Sequence, residues 1–424
     1  MNIPSDLMEL NTHIKGRPGI DCCGFCSFCF YKNLQHSKLE TLQFGCVNCP
    51  PHQVGCPECN RLTNYLTEDF KPLHEVLKDL ESKLVYYDMW GKTKDLEIVI
   101  SATADMFNYP HLVDLISIID DSGYHVTLSY TSGKAINNRD LANELISFGV
   151  NELNFSVFST NPDLRGRWMN DRNPAEAIGS LKIFCENIDV NASAVVIPGI
   201  NDEEQIFQTA SDLEEWGVKS LVLRRFANFK YQGLILNEDQ PILDGVTVQT
   251  YHEFKELVER VSSEFSFQVL SFPFYSPDKD FPFAILKKEN REFLKDLPLI
   301  EFEVTVITGK LAGPFLTEFF DAVDKPGKVN VVILDKEIAD LITHEDLESV
   351  SLDDIKRRVL IPFGALVQDD QARKILSKDG VKRKVVRGPK LLTHPYYENV
   401  SFNKDQLIKY EYKSFKELID IING

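Results

Sequence analysis

Residues 20–31 read I-D-C-C-G-F-C-S-F-C-F-Y, and these cysteines decide how the rest of the chain is read. Cys22, Cys26 and Cys29 follow the spacing C-x3-C-x2-C, with the aromatic Phe28 just before the last of them. Three thiolates on one tight loop suit three irons of a [4Fe–4S] cluster and leave the fourth iron open to a ligand. Cys23 offers the alternative spacing C-x2-C-x2-C, and a structural zinc site would draw on any three of the four thiols. A plain buried thiol is the ordinary role for the cysteine left over. Eight of the nine cysteines lie between Cys22 and Cys59, and Cys185 stands apart. A 424-residue chain, long enough for two to three domains, has little use for disulfides in a reducing compartment, so the clustering points to metal.

The remaining four thiols repeat the theme. Residues 45–60 read G-C-V-N-C-P-P-H-Q-V-G-C-P-E-C-N, in which Cys46, Cys49, Cys56 and Cys59 form two C-x2-C knuckles separated by six residues. Such knuckles wrap one tetrahedral metal, and the spacing admits mononuclear iron or zinc alike. Metal binding in such peptides is worth roughly 10–16 kcal/mol, comparable to the ~5–15 kcal/mol that holds a whole domain. The expected role of this loop is structural.

Beyond the cysteines, apolar β-like runs alternate with amphipathic helical ones. The expected strands are 96–101, 125–130, 152–158, 190–197, 220–226 and 267–272, and the expected helices are 73–86, 110–121, 139–148, 174–187, 202–216 and 249–265. Strand–helix repeats with short connections predict an α/β fold with a parallel sheet, rolled into a partial or full β/α barrel. Ligands of such sheets sit at the C-terminal ends of the strands. A charged stretch at 287–299 breaks the pattern, new strands begin at Glu301, and the chain ends in an expected helix at 414–422. The expected division is a metal-loop segment 1–70, a barrel 71–299 and a small α/β domain 300–424.

Composition narrows the partners. With 46 Lys plus Arg against 64 Asp plus Glu, the net charge of −18 repels phosphate backbones, so no nucleic-acid partner is expected. No apolar run approaches the ~20 residues that cross a bilayer, and the first residues have no signal-peptide core. The expected setting is cytoplasmic, away from membranes.

The cysteine loop with its β/α frame resembles the radical S-adenosylmethionine (SAM) superfamily over about residues 15–290. That resemblance implies that SAM binds the open iron and is cleaved by an electron that an external donor supplies. The resulting 5′-deoxyadenosyl radical abstracts hydrogen from an unactivated carbon. It implies SAM contacts at Phe28, at Asp105 (in Ser101-Ala102-Thr103-Ala104-Asp105, which lacks the family's glycines), at Ser156, at Arg165 and at Ile197 in the turn Val196-Ile197-Pro198-Gly199-Ile200-Asn201-Asp202. Read alone, that turn is a Pro-Gly turn whose Asn and Asp cap the next helix.

A narrower likeness rests on residues 16–32, the four-cysteine loop, Tyr130-Thr131-Ser132-Gly133-Lys134, Arg225-Phe226-Ala227-Asn228 and Arg387-Gly388-Pro389. Together these are similar to the methanogenesis marker protein 10 family, the cobalamin-dependent arginine methyltransferases of methyl-coenzyme M reductase. The likeness implies a mononuclear iron in the second loop and a C-terminal cobalamin (methylcobalamin) domain. It also implies C-methylation of an arginine sp3 carbon in the large (alpha) subunit of that reductase, and a tyrosine that reaches the open iron, Tyr130 or alternatively Tyr109. No Asp-x-His-x-x-Gly occurs, so His344 and His394 are read as loop or surface residues. The expected cobalamin contacts are Thr308, Gly309, Leu341, Ile342, Thr343 and Gly364, where glycine permits close backbone approach. Asp105 and Asp163 are the carboxylates available to a substrate guanidinium. Two rivals stand beside this reading: a cobalamin-independent radical SAM peptide-modifying enzyme, and a zinc-binding scaffold without catalysis.

Overall fold

Along L-E-I-V-I-S, residues 96–101, burial alternates, with Leu96, Ile98 and Ile100 buried and Glu97, Val99 and Ser101 only partly so. A strand with this period buries one face against helices and turns the other elsewhere. The computed structural model describes residues 8–33, 45, 66–89, 96–234, 240–393 and 403–424. The four cysteines of the second loop lie outside the described residues. The chain divides into two compact units, the first holding the N-terminal residues through Asn33, Leu62–Phe226 and Ile242–Phe272, the second holding Ala227–Pro241 and Pro273–Gly424.

In the first unit the order is β1 (Met8–His13), α1 (Leu73–Met89), β2 (Leu96–Ser101), α2 (Leu112–Asp120), β3 (His125–Thr131), α3 (Asp140–Ser147), β4 (Val150–Ser156), α4 (Pro162–Met169), α5 (Pro174–Asn187), β5 (Asp189–Val196), α6 (Glu204–Trp216), β6 (Ser220–Arg225), α7 (Tyr251–Glu264) and β7 (Gln268–Phe272). The seven strands pair in chain order, and every pair is parallel. Right-handed crossovers that always step the same way put all the helices on one face and let the other face curl inward. This is the expected barrel-like α/β fold.

The helix-facing strand positions carry the core. Ile98, Ile100, Val126, Leu128, Leu153, Phe155, Val190, Leu221 and Leu223 are buried, and they pack with helical residues at i, i+3 and i+4 spacing such as Leu112, Leu115, Ile116 and Ile119 of α2. Each such side chain is worth ~1.5–3 kcal/mol in transfer from water. The inner-face positions are mostly polar: Glu97 and Ser101, Thr127, Glu152, Asn154 and Ser156, Asn191 and Ser193, Ser220 and Arg224. The inner face therefore suits a polar ligand better than an oily filling.

The N-terminal segment differs from expectation in having no separate existence: β1 pairs along its whole length with β2, from Met8 against Leu96 to His13 against Ser101. Its composition hides it, because among the described side chains of M-E-L-N-T-H only Leu10 and Thr12 are buried.

The second unit begins at Pro273 rather than 300. Ile285, Leu286 and Leu297 share one core with Phe319, Phe320 and Phe415, which draws 273–299 into this unit. Its strands β8 (Val304–Thr308), β9 (Val329–Ile333), β10 (Arg358–Ile361) and β11 (Lys384–Arg387) form a parallel sheet in the order β11-β10-β8-β9. Around them lie α8 (Gly313–Val323), α9 (His344–Glu348), α10 (Asp369–Ile375), α11 (Lys390–Thr393) and α12 (Lys404–Asn423). One core lies on each face of the sheet, so this unit is doubly wound with its switch point between β8 and β10.

Glu411 of α12 lies in the first of these cores, and its carboxylate accepts the backbone N–H groups of Phe283, Ala284 (3.2 Å) and Ile285 (2.8 Å). Burial pushes its pKa up from 4.5 to about 7, against those three donors, which favour the ionised form. The native state then holds a proton on Glu411 that the unfolded chain has released, so stability is full below about 4.5 and falls as pH rises towards 7. The gap amounts to about 3 kcal/mol. Glu411→Gln is expected to remove this part of the pH dependence between melts at pH 4.5 and 7. A variant with the wild-type slope would show that Glu411 is ionised throughout.

Candidate active site

The strand-end loops of the first unit converge through a small number of buried polar side chains. The loop after β1 carries the first cysteine cluster. It is a series of tight turns in which Cys29 N–H donates to Cys26 O (3.0 Å) and Gly24 N–H to Gly19 O (2.8 Å). Gly24 has a φ of +109°, and a Cβ there would stand 2.4 Å from Asn170 Nδ2, so the turn between Cys22 and Cys26 is closed to other residues.

Cys22, Cys26 and Cys29 all lie on this loop, and the charges of Cys26 and Cys22 bear on Cys29. Burial pushes Cys22 up to about 11, and Cys29 up to about 12, with the Cys26 and Cys22 charges adding to the latter. Burial raises Cys26 as well, while the Lys134 ammonium opposes it. The charges that bear on Cys23 are Asp105, Lys134, Arg172 and Asp171, with no thiol among them. Half-buried thiols of this kind are a donor set that a cationic iron–sulfur core would satisfy, because metal replaces their protons.

Asp105 occupies the end of the loop after β2. Its Oδ1 accepts from Phe107 N–H (3.1 Å) and Thr131 Oγ1 (2.7 Å), and its Oδ2 from Ser132 Oγ (2.6 Å) and Lys134 N–H (2.7 Å). The residue is buried. Asp105, an expected SAM contact, has its carboxylate engaged in bracing β2 to the β3 loop. That loop in turn needs Gly133, whose φ is +69° and whose absent Cβ leaves room for the Phe155 ring.

Arg165 is also a brace. Its guanidinium is fully buried in α4, pairing with Asp171 through Nε (2.7 Å) and donating to Ser156 O (3.1 Å), Val157 O (3.0 Å) and Ser132 O. Arg165, an expected SAM contact, thus has its guanidinium fork engaged by the chain's own groups. Ile197 is buried too. Its N–H donates to Asn201 Oδ1 (2.8 Å), and Asn201 Nδ2 reaches Phe158 O (2.9 Å) and Val195 O (2.8 Å), so Asn201 ties β4 to β5. Phe28 stacks on Phe158 at 4.9 Å. Asp163 lies exposed in the first turn of α4.

Tyr130 reaches the inner face through an irregularity. Strict alternation from Leu128 would aim it at the helices, but the β3–β4 register shifts between Leu128 and Thr131. A bulge re-aims a side chain in this way. The Tyr130 hydroxyl then donates to Ser156 Oγ (2.8 Å). Arg224 of β6 lies over its ring at 5.7 Å and over Phe272 at 5.8 Å, with its Nε donating to Ser193 Oγ (2.9 Å). Desolvation raises the Tyr130 pKa although the ring is partly exposed, Ser156 and the Arg224 guanidinium oppose the shift, and the Cys26 and Cys29 charges add to it. Tyr31, which sequence reasoning passed over, is also pushed up to about 12, by burial and then by Cys29, Cys22 and Tyr130. Tyr109 packs beside Phe70 and His111, and no thiol bears on it.

In the second unit, the expected cobalamin residues gather at the switch point but leave no cradle. A Cβ on Gly309 would meet Lys336 O and Glu337 O at 2.7 Å, and one on Gly364 would meet Asp340 at 2.5 Å. These glycines make room for the chain's own loop. Thr343 is committed to capping α9 with Asp346, Thr308 and Ile342 are buried, and Leu341 flanks Gly233. Arg387 staples the loop after β10 through Phe363 O (2.6 Å), Ala365 O (3.0 Å) and Val367 O (2.6 Å).

Residues 118–221 match the Radical SAM-like domain family. No curated protein matches the chain. Among solved structures, a radical SAM methyltransferase from Sphaerobacter thermophilus is similar at 15% identity, with 64% of this chain and 68% of that chain covered and a TM-score of 0.36. Streptococcus suis SuiB is similar at 14% identity, with 63% and 50% covered and a TM-score of 0.39. The radical S-adenosylmethionine methyltransferase TsrM from Kitasatospora setae, solved with tryptophan substrate and a SAM analog, is similar at 11% identity, with 53% and 37% covered and a TM-score of 0.35. The chain thus spans about two thirds, a half and somewhat over a third of these relatives.

Proposed function

We propose that this chain is a radical SAM enzyme whose cluster is held by Cys22, Cys26 and Cys29 at the mouth of the first sheet. The single observation that carries this reading is the loop that holds Cys22, Cys26 and Cys29, which follows the parallel strand β1 at its C-terminal end and on which the charges of Cys26 and Cys22 bear on Cys29. The match of residues 118–221 to the Radical SAM-like domain supports it. When bound, the cluster supplies the electron that cleaves SAM to a carbon radical.

The chain's own residues do the remaining work. Asp105 and Arg165 hold the loops after β2, β3 and β4 in one arrangement, so the thiols and Tyr130 do not have to be ordered when ligands arrive. Phe28 on Phe158 closes an apolar wall beside Cys29, which keeps water from the thiols. Tyr130, oriented by Ser156 and by the Arg224 guanidinium, presents its hydroxyl towards the same place. The polar inner face is the surface along which a polar substrate side chain would lie.

The narrower reading is cobalamin-dependent methylation of an arginine sp3 carbon in the large subunit of methyl-coenzyme M reductase, with a mononuclear iron or zinc on Cys46, Cys49, Cys56 and Cys59. It rests on the sequence resemblance. Gly309 and Gly364 do not fit the group at the expected positions, and no step is assigned to it. That same observation favours, as a second reading, a radical SAM peptide-modifying enzyme without cobalamin.

Metal analysis separates these. Protein purified without oxygen from cobalamin-supplied cells is expected to hold about five irons, or about four with one zinc, and to release 5′-deoxyadenosine from SAM on reduction. Stoichiometric cobalt together with a methylated arginine peptide supports the narrower reading, and iron without cobalt supports the second. Zinc alone, with no cleavage of SAM, would sink both.

A further inference from the structure

We infer that Arg224 forms a carboxylate-binding subsite on the inner face of the first sheet, and that the carboxylate it takes belongs to the substrate. The choice of substrate over SAM rests on the radical SAM reading; the subsite itself does not.

Arg224 is the penultimate residue of β6, at the strand end where ligands of parallel sheets sit. Strand alternation turns it away from the helices: Leu221, Leu223 and Arg225 are buried, while Val222 and Arg224 are half-buried. Three contacts hold its guanidinium. Nε donates to Ser193 Oγ of β5 (2.9 Å), the Tyr130 ring of β3 lies at 5.7 Å, and the Phe272 ring of β7 lies at 5.8 Å. Ser193 is buried, and Tyr130 is itself fixed by its bond to Ser156 Oγ (2.8 Å). A planar cation set against two rings and a buried hydroxyl has lost much of the freedom that binding would otherwise cost.

What those contacts leave over is the fork. Among the described residues, neither terminal nitrogen of Arg224 has an acceptor, and no carboxylate pairs with it. Arg165 of the same unit is the contrast: its Nε pairs with Asp171, and its terminal nitrogens donate to the carbonyls of Ser156, Val157 and Ser132. The chain satisfies Arg165 and leaves Arg224 oriented but unpaired. Rings and hydroxyls position the charge without neutralising it. One guanidinium fork matches the single charge and two coplanar oxygens of a carboxylate.

In the radical SAM reading, SAM belongs at the cysteine loop that follows β1, and four strands stand between β1 and β6 in the sheet. The carboxylate that meets Arg224 is therefore the substrate's. The same charge repels an unaccompanied substrate guanidinium. An arginine peptide fits this wall only when an acidic side chain lies beside the arginine.

Protection from an arginine-specific dicarbonyl tests the subsite. Full-length protein purified without oxygen is treated with phenylglyoxal, and modification of each arginine is followed by mass spectrometry, with Arg165 as the engaged reference. N-acetylglutamate α-amide is the probe and N-acetylglutamine α-amide its uncharged control, each with and without SAM. Arg224 is expected to react faster than Arg165 in the free protein. The glutamate probe is expected to half-protect Arg224 below about 10 mM, with SAM or without it, and the glutamine control to leave the rate unchanged. An Arg224 as unreactive as Arg165 would show the fork already engaged and overturn the subsite. Equal effects of the two probes, or none, would do the same. Protection by SAM that leaves the glutamate probe without further effect gives the fork to SAM and overturns the substrate assignment. Zinc in place of iron, with no SAM cleavage, would sink the radical reading, while glutamate-specific protection would still support the carboxylate subsite.

Discussion

Cys26→Ala is expected to strip the protein of about four irons per chain and to reduce SAM cleavage to background, whereas Cys23→Ala retains both. The two residues are three apart and chemically identical, so the difference is one of placement. The Lys134 ammonium favours the Cys26 thiolate, and the charges of Cys26 and Cys22 bear on Cys29. Cys23 has a φ of +56° and stands outside the C-x3-C-x2-C spacing. Two thiolates cannot hold three irons, and substitution at Cys23 removes nothing from the donor set. Iron per chain and 5′-deoxyadenosine release measure the outcome. A Cys23→Ala protein without iron beside a Cys26→Ala protein with it would exchange the roles of the two thiols.

Arg165→Met is expected to destabilise the first unit by about 3–5 kcal/mol, the usual cost of breaking a buried ion pair from one side. The substitution strands the Asp171 carboxylate with its side chain fully buried, and it leaves the carbonyls of Ser132, Ser156 and Val157 without the donor they share. Lysine does not rescue it, since a single ammonium cannot reproduce a planar fork that addresses four acceptors. Denaturant midpoints of the two variants against wild type give the measurement. A loss below about 1 kcal/mol would mean that water solvates the site and that Arg165 is available to a ligand after all.

The outcome at Arg165 and Asp105 illustrates where sequence reasoning stopped. Both residues sit at the strand ends where a ligand-binding role was expected, and both are indeed buried polar groups in those loops. Nothing in their local spacing tells whether a carboxylate meets a ligand's ammonium or the N–H groups of a neighbouring loop. That depends on partners such as Ser132 and Lys134, which lie 27 and 29 residues from Asp105. Lys134 itself stood in a stretch that the family likeness singled out, but its reach to Gly24 is a tertiary fact.

The sequence by itself determined the features that short-range pattern controls. An apolar β-like run predicted β2 at its observed bounds, and an amphipathic helical pattern predicted α5 from Pro174 to Asn187. The C-x3-C-x2-C spacing placed three thiols on one short loop, which has little freedom to spread them. The strand β1, with two buried side chains, carries too little apolar signal to be seen until β2 pairs with it. Tertiary structure alone decided the re-aiming of Tyr130 by a register shift, the braces at Asp105, Arg165 and Asn201, and the filling of Gly309 and Gly364 by their own chain. Each of these depends on atoms distant in sequence meeting at one strand end, and buried polar groups take whichever partner the fold delivers.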